Sequence, residues 1–272
     1  MRPETRAARR SGRGVPWAVW GLAGLAVAFF ALPLLGMLVR AAWSDLWGDL
    51  RTPAAREALR LSLECSLWST GLSVLLGVPL AWVLARGNVP GRSLIRALVL
   101  LPMVLPPVIG GVALLFAFGR TNGLVGPWLH DALGVQLTFS KTGVIVAETF
   151  VAMPFLVITV EGGMRAIDTR YEDAAATLGA GRWTTFRRVT LRLLAPSLIA
   201  GIALAWARAL GEFGATITFA GNIAGRTQTT PLAVYLLLET DQDAALALSL
   251  VLLAVSVVVL VSLRDRWFGI RR

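Results

Sequence analysis

Tyr171-Glu172-Asp173-Ala174-Ala175-Ala176-Thr177-Leu178-Gly179 is a polar stretch that ends on glycine, and the cations Arg182, Arg187 and Arg188 follow it. Strongly apolar sequence stands on both sides of it, at 142–164 and 193–220. Each flank has the 20 or so apolar residues that an α-helix needs to cross a hydrocarbon core of about 30 Å. A polar helix held between two such segments must lie outside the bilayer, so this stretch sets the reading of the whole chain.

Working outward, four more segments meet the same criterion, at 17–39, 59–85, 94–118 and 244–263. The expected fold is all-α: a polytopic bundle of six transmembrane helices with a helical segment, 169–188, between the fourth and fifth. The bulk numbers agree. Of the 272 residues 56% are hydrophobic and 15% charged, and the mean hydropathy is +0.69. A soluble domain is nearer a quarter charged. The first segment follows Arg9, Arg10 and Arg13, as a signal peptide would, but its apolar run exceeds the usual 7–15 residues and no small-x-small site follows. It is read as a retained helix. The expected organisation is a basic tail at 1–16, one membrane domain at 17–264 and a second tail at 265–272.

The net charge of +10 would suggest nucleic acid in a soluble chain, but here it follows topology. Eighteen arginines fall in the amino-terminal tail, the second-to-third and fourth-to-fifth connections and the carboxyl tail, against seven Lys or Arg in the alternate loops. The positive-inside bias places both termini and the polar stretch in the cytoplasm. A nucleic-acid partner is therefore not expected. One cysteine, Cys65, excludes an internal disulfide, and one histidine, His130, excludes a histidine-rich metal cluster.

Two constellations carry chemistry. In the first, Glu172 and Asp173 suit the positive end of a helix dipole, Ala174, Ala175 and Ala176 favour helix, and Gly179 suits a left-handed cap. The plainer reading is a solvated loop, but the alanine face also admits close approach by a partner. The second lies in the fifth segment, Arg208-Ala209-Leu210-Gly211-Glu212-Phe213-Gly214-Ala215-Thr216. Arg208 and Glu212 are four apart and can pair on a helix. At membrane depth either charge alone costs at least about 2.5–3.5 kcal/mol, so both should face the bundle interior or water. A packing role and a pathway role both fit. In the third segment Pro106-Pro107 followed by Gly110-Gly111 predicts a bent helix with a small-residue face, suited to a gate. Glu64, Glu148 and Glu161 stand nearer the ends of their segments with no partner evident in the sequence.

The first constellation resembles the coupling loop of the membrane subunits of bacterial ABC importers, with Asp173-Ala174-Ala175 as the acidic-Ala-Ala triplet, then Gly179 and Val189-Thr190-Leu191. The match departs at Arg192, where that loop has proline. The run from Ala207 to Thr216, with Gly221-Asn222-Ile223 and Thr227 to Tyr235, resembles permeases of molybdate importers and, less closely, those for sulfate and thiosulfate. The resemblance implies a type I ABC importer permease of the bacterial inner membrane that acts as a homodimer. Glu172, Asp173, Ala174, Ala175 and Gly179 would then seat on one of two ATPase subunits. Those subunits bind ATP and Mg, a separate periplasmic protein delivers the oxyanion, and this chain carries no cofactor of its own. The sequence has no Gly-x-x-x-x-Gly-Lys-Ser/Thr motif, in keeping with that division. Arg208, Gly211, Glu212, Gly214 and Thr216 would line the path or fix its wall. Tungstate is a further cargo of the same shape. Two rivals stand beside this reading. An intramembrane enzyme lacks a nucleophile–base pair here. An ion-driven secondary transporter should show intramembrane carboxylates for ions and often a repeat.

Overall fold

The computed structural model describes residues 16–267, so the expected tails at 1–16 and 265–272 lie mostly outside the described residues. The chain divides into two compact units, 1–42 and 43–272. The first contains one apolar helix, α1 (Trp17–Arg40).

The second unit holds twelve further α-helices, and no strand occurs among the described residues. Short α2 (Leu46–Arg51) precedes α3 (Pro53–Arg86). Pro53 opens α3, and the Thr52 hydroxyl accepts the Ala55 N–H at 3.3 Å. This is the expected chemistry of a helix start, where proline has no donor to lose and a hydroxyl satisfies an orphan N–H. The 34 residues of α3 rise about 51 Å, well beyond the hydrocarbon thickness. Next come α4 (Arg92–Val104), α5 (Pro107–Phe118), α6 (Gly126–Leu133) and α7 (Lys141–Ala166). The polar stretch forms α8 (Arg170–Thr177) and α9 (Arg182–Thr185). A π-helical turn, Phe186–Thr190, runs into α10 (Leu191–Leu210). The described residues end with α11 (Gly214–Phe219), α12 (Thr230–Thr240) and α13 (Gln242–Trp267).

Five helical segments are long and apolar enough to span a membrane: those of α1, α3, α7, α9–α10 and α13. The segment expected at 94–118 is not one bent helix but two, α4 and α5, separated at Leu105-Pro106. Pro106 and Pro107 are consecutive, and each removes a donor and clashes with the preceding turn. The segment expected at 193–220 is also divided, with α10 ending at Leu210 and α11 starting at Gly214.

Helix α7 is central. It shares one core with α3 and α10, built from Ala81, Leu84, Ala152, Leu156, Val160, Met164, Leu194 and Ala205. Small residues set the spacing, as expected where lipid supplies no hydrophobic drive between helices. A β-carbon on Gly77 would stand 3.0 Å from Leu156, and one on Gly163 would stand 2.4 Å from Ser197. Helices α3 and α7 run parallel: Lys141 meets Glu64 at one end, while at the other Arg86 reaches the Met164 carbonyl at 3.3 Å. A second core joins Leu114 of α5, Ala147 and Val151 of α7, and Ala215 and Phe219 of α11.

Candidate functional site

The two helix breaks lie side by side. A β-carbon on Gly214 would be 2.7 Å from Pro107 and 3.3 Å from the Val108 nitrogen. One on Gly111 would be 2.6 Å from Thr218 Cβ and 2.9 Å from the Ala215 carbonyl. The starts of α5 and α11 therefore touch, with glycine on both sides because no side chain fits. Pro106 caps α5 and Pro107 is its first residue, so the pair divides the segment where it meets the other break.

Arg208 and Glu212 bridge the second break. Their Nη2 and Oε2 atoms are 2.6 Å apart. They do not share one continuous helix: Arg208 lies in the last turn of α10, Gly211 caps that helix, and Glu212 stands beyond it. Glu212 Oε1 accepts the Ala215 N–H at 2.7 Å, so the acid also caps α11. The signs match the dipoles, a cation at a carboxyl-terminal end and an anion at an amino-terminal end. Only 1% of the Glu212 side chain is exposed, against 26% for Arg208. The carboxylate is thus enclosed, while the guanidinium still meets the surface of the chain. Gly211 itself has ordinary room for a side chain, unlike Gly214. Thr216 is fully buried, and its Oγ1 has no hydrogen-bond partner.

The polar stretch is ordered by its own ends. Glu172 and Asp173 occupy the first turn of α8. At the other end Gly179 has φ +80°, its N–H reaches the Ala176 carbonyl and the Ala180 N–H reaches the Ala175 carbonyl, both at 3.0 Å. This pair of bonds is the Schellman motif, which relies on glycine in the left-handed region. Tyr171 and Leu178 are exposed, the latter by 87%, and Asp173 and Ala174 also face outward. Glu172 differs. Its Oε1 accepts the Thr190 hydroxyl at 2.8 Å, and its Oε2 lies 3.3 Å from Arg86 Nη1. The other guanidinium nitrogen reaches the carbonyls of Met164 and Ile167. Glu172 therefore ties α8 to the ends of α3 and α7 and to the π turn, where Phe186 stacks on Trp82 at 4.3 Å. These groups border a cleft of about 540 Å³.

The acids without evident partners in the sequence are mostly paired. Glu161, 7% exposed, accepts Arg96 of α4 and lies 2.7 Å from Arg165. Glu64 pairs with Arg60 at 2.7 Å and with Lys141. The four-residue spacings of Arg60–Glu64 and Glu161–Arg165 were available signals. Glu148 is the most deeply buried of the three, 1% exposed, with Oε2 unpartnered. At the Lys141 end, Arg56, Arg60, Lys141 and Arg226 line a cleft of about 630 Å³. The loop carrying Arg226 is held by its own bonds, Gln228 to Asn222 and the Ile223 N–H to the Thr227 hydroxyl. The Thr230 N–H donates to Ser62 of α3 at 2.6 Å. Asp49 in α2 has a carboxyl raised above its ordinary range, first by desolvation and then by Asp241, Asp243 and Asp45.

Apposed interruptions in neighbouring helices, set around a charge pair inside an apolar bundle, are arrangements that a multi-pass membrane protein can hold where protein encloses the irregular backbone. The comparisons define the kind. The chain belongs to the family described as the binding-protein-dependent transport system inner membrane component, whose model matches residues 75–270. It is 50% identical over 242 residues to the molybdenum transport system permease protein ModB of Mycobacterium tuberculosis, covering 88% of this chain and 90% of that one. It is 38% identical over 236 residues to the sulfate transport system permease protein CysT of Escherichia coli, covering 85% and 84%. Its fold matches a chain of a bacterial ABC transporter involved in import of the acidic polysaccharide alginate, with a TM-score of 0.71 at 19% identity and coverage of 94% and 96%.

Proposed function

We propose that the chain is the permease subunit of an ATP-driven oxyanion importer, with molybdate as its cargo. The single observation that carries the coupling part is the polar stretch: a separately capped helix, exposed on the face of Asp173, Ala174 and Leu178, tied through Glu172 to α3 and to the turn that leads into α10, and through Arg86 to the end of α7. Two copies enclose the pathway. Each presents α8, with both termini in the cytoplasm as the arginine bias requires, to one of two ATPase subunits that bind ATP and Mg. Asp173, Ala174, Ala175 and Gly179 shape the docking face, while Glu172 transmits its displacement to α3, α7 and α10. A periplasmic binding protein delivers the anion to the opposite face.

Transport needs a bistable packing rather than a reactive side chain. The two breaks supply the joints: Pro106-Pro107 and Gly211–Phe213 let α5 and α11 move as a pair against α4 and α10. Arg208 attracts the dianion, and Glu212 limits that attraction so that the anion leaves again. The greater identity to the mycobacterial molybdenum permease than to the sulfate permease favours molybdate, and sulfate is the second reading.

The test is uptake by the complete transporter in proteoliposomes. Gly179→Leu is expected to insert normally and to abolish ATP-driven molybdate uptake, because a side chain at φ +80° distorts the cap. Normal uptake by that variant overturns the docking assignment. Stimulation of ATP hydrolysis by molybdate-loaded binding protein, and not by the sulfate-loaded one, supports the cargo; the reverse replaces molybdate by sulfate.

A further inference from the structure

Polar atoms without hydrogen-bond partners are buried on several helices, Ser73 of α3 and Thr230 of α12 among them, and three stand at one level of the bundle. These three are Ser69 Oγ of α3, Glu148 Oε2 of α7 and Thr216 Oγ1 of α11, in side chains 0%, 1% and 0% exposed. Their placement follows from the packing. Val144, Glu148 and Val151 form one stripe of α7, at positions i, i+4 and i+7. Val144 packs with Cys65 of α3 and with Ala220, and Val151 packs with Ala215 and Phe219. Glu148 therefore faces the seam between α3 and α11. The parallel register set by Glu64–Lys141 and by Arg86–Met164 brings Ser69, four residues beyond Cys65, to the height of Glu148. Thr216 stands four residues before Ala220, which packs with Cys65 and Val144, so it lies on the face of α11 turned to the same seam.

Buried polar groups are almost always satisfied by protein, water or an ion, so three orphans from three helices point to a bound species. The charge balance identifies it. The charged groups facing this region are Glu148 itself, Glu212 at the start of α11 and Arg208 at the end of α10. Glu212 is already matched by Arg208. Cys65 of α3 is the remaining titratable neighbour, within electrostatic reach of Glu148. Helices α5 and α11 contribute no charge, Lys141 is engaged by Glu64 two turns away, and Arg96 of α4 is engaged by Glu161. With both carboxyls ionised, two acids would share one guanidinium and the region would be one positive charge short. An uncompensated buried charge is strongly destabilising.

We propose that Ser69, Glu148 and Thr216 form a site for one monovalent cation, a proton or a sodium ion. The donors are all oxygen, which suits a hard ion, and a single missing charge excludes a divalent one. Bound there, the cation keeps the wall beside Arg208–Glu212 neutral and so lowers its repulsion of a passing dianion. The site stands independently of the oxyanion reading, because its test uses no cargo.

The experiment is thermal unfolding of the purified transporter in detergent, with sodium exchanged for choline at constant ionic strength, and separately with pH varied in choline. If sodium is the ligand, wild type gains several degrees saturably and Glu148→Gln does not respond. If the ligand is a proton, sodium has no effect. Wild type then loses stability in a step as pH rises, since a proton bound only in the fold stabilises it at low pH, and Glu148→Gln lacks that step. Thr216→Val, which keeps the charge and removes one donor, is expected to shift the half-saturating sodium concentration or the pH midpoint by at least about tenfold in cation activity. A wild type that responds to neither cation, or variants whose responses match wild type, overturn the site.

Discussion

The buried junction of α5 with α11 and the exposed helix α8 solve opposite problems with the same residue types. At the junction, glycine is required because another helix occupies the space: Gly111 meets Thr218 and Gly214 meets Pro107. At α8, glycine is required because the backbone turns left-handed, and Gly179 has open space around it. Charge differs in parallel. Glu212, with 1% of its side chain exposed, holds a buried pair, whereas Glu172 and Arg86 are 27% and 25% exposed and meet at the margin of the bundle. The junction resists change through packing, and α8 keeps its shape while remaining free to meet a partner.

The largest effect is expected from splitting the buried pair. Glu212→Ala leaves Arg208 uncompensated and α11 uncapped, and should lower stability by about 3–5 kcal/mol in denaturant titration of the solubilised permease. The double variant Arg208→Met with Glu212→Leu should recover most of that loss, less about 1 kcal/mol for the missing Ala215 hydrogen bond. If the single and double variants lose equally, the pair is not the source of the cost.

Gly111→Ala comes next. Its β-carbon collides with the Ala215 carbonyl as well as with Thr218, so about 1–3 kcal/mol should be lost. Adding Thr218→Ala should recover only part, since the carbonyl stays, and full recovery would mean that the helices separate easily. At α8, Glu172→Gln or Arg86→Met should cost no more than about 1 kcal/mol, because solvent reaches and screens a pair whose side chains are each about a quarter exposed. Their signature is functional: ATP hydrolysis persists while uptake per ATP falls. A stability loss as large as at Glu212 would erase the contrast between the two regions.

Much of the frame was legible in the sequence. Four of the expected spans coincide with long apolar helices and a fifth does so as far as Leu210, because twenty apolar residues in a row have few other uses. The cap at Gly179 was readable because a Schellman end depends on local φ and ψ. The interruption at 211–213 was less visible. Arg208 and Glu212 pair at four-residue spacing whether the helix continues or stops, and the spacing cannot tell these apart. The double proline marked a bend in the third segment, but whether it bends or divides depends on what packs beside it, and here α11 does.

Glu148 marks the other limit. In the sequence it stands eight residues into an apolar segment that starts at Lys141, with no basic residue at four-residue spacing. Its company comes from α3 and α11, far away in the chain. The same holds for Glu161, whose bond to Arg96 spans 65 positions, and for Glu172, which meets Arg86 across 86.

The sequence by itself determined which segments enter the membrane, that a polar helix lies between two of them, and how that helix ends. Those properties follow from transfer free energy and backbone geometry, which act over one or two turns. Only the tertiary structure decided that two spans are divided at the same place, that Glu212 caps one helix while pairing with another, and that Glu148 is buried with one carboxyl oxygen unpartnered. These depend on which helices are neighbours, and neighbourhood is settled by the packing of small residues across the whole bundle.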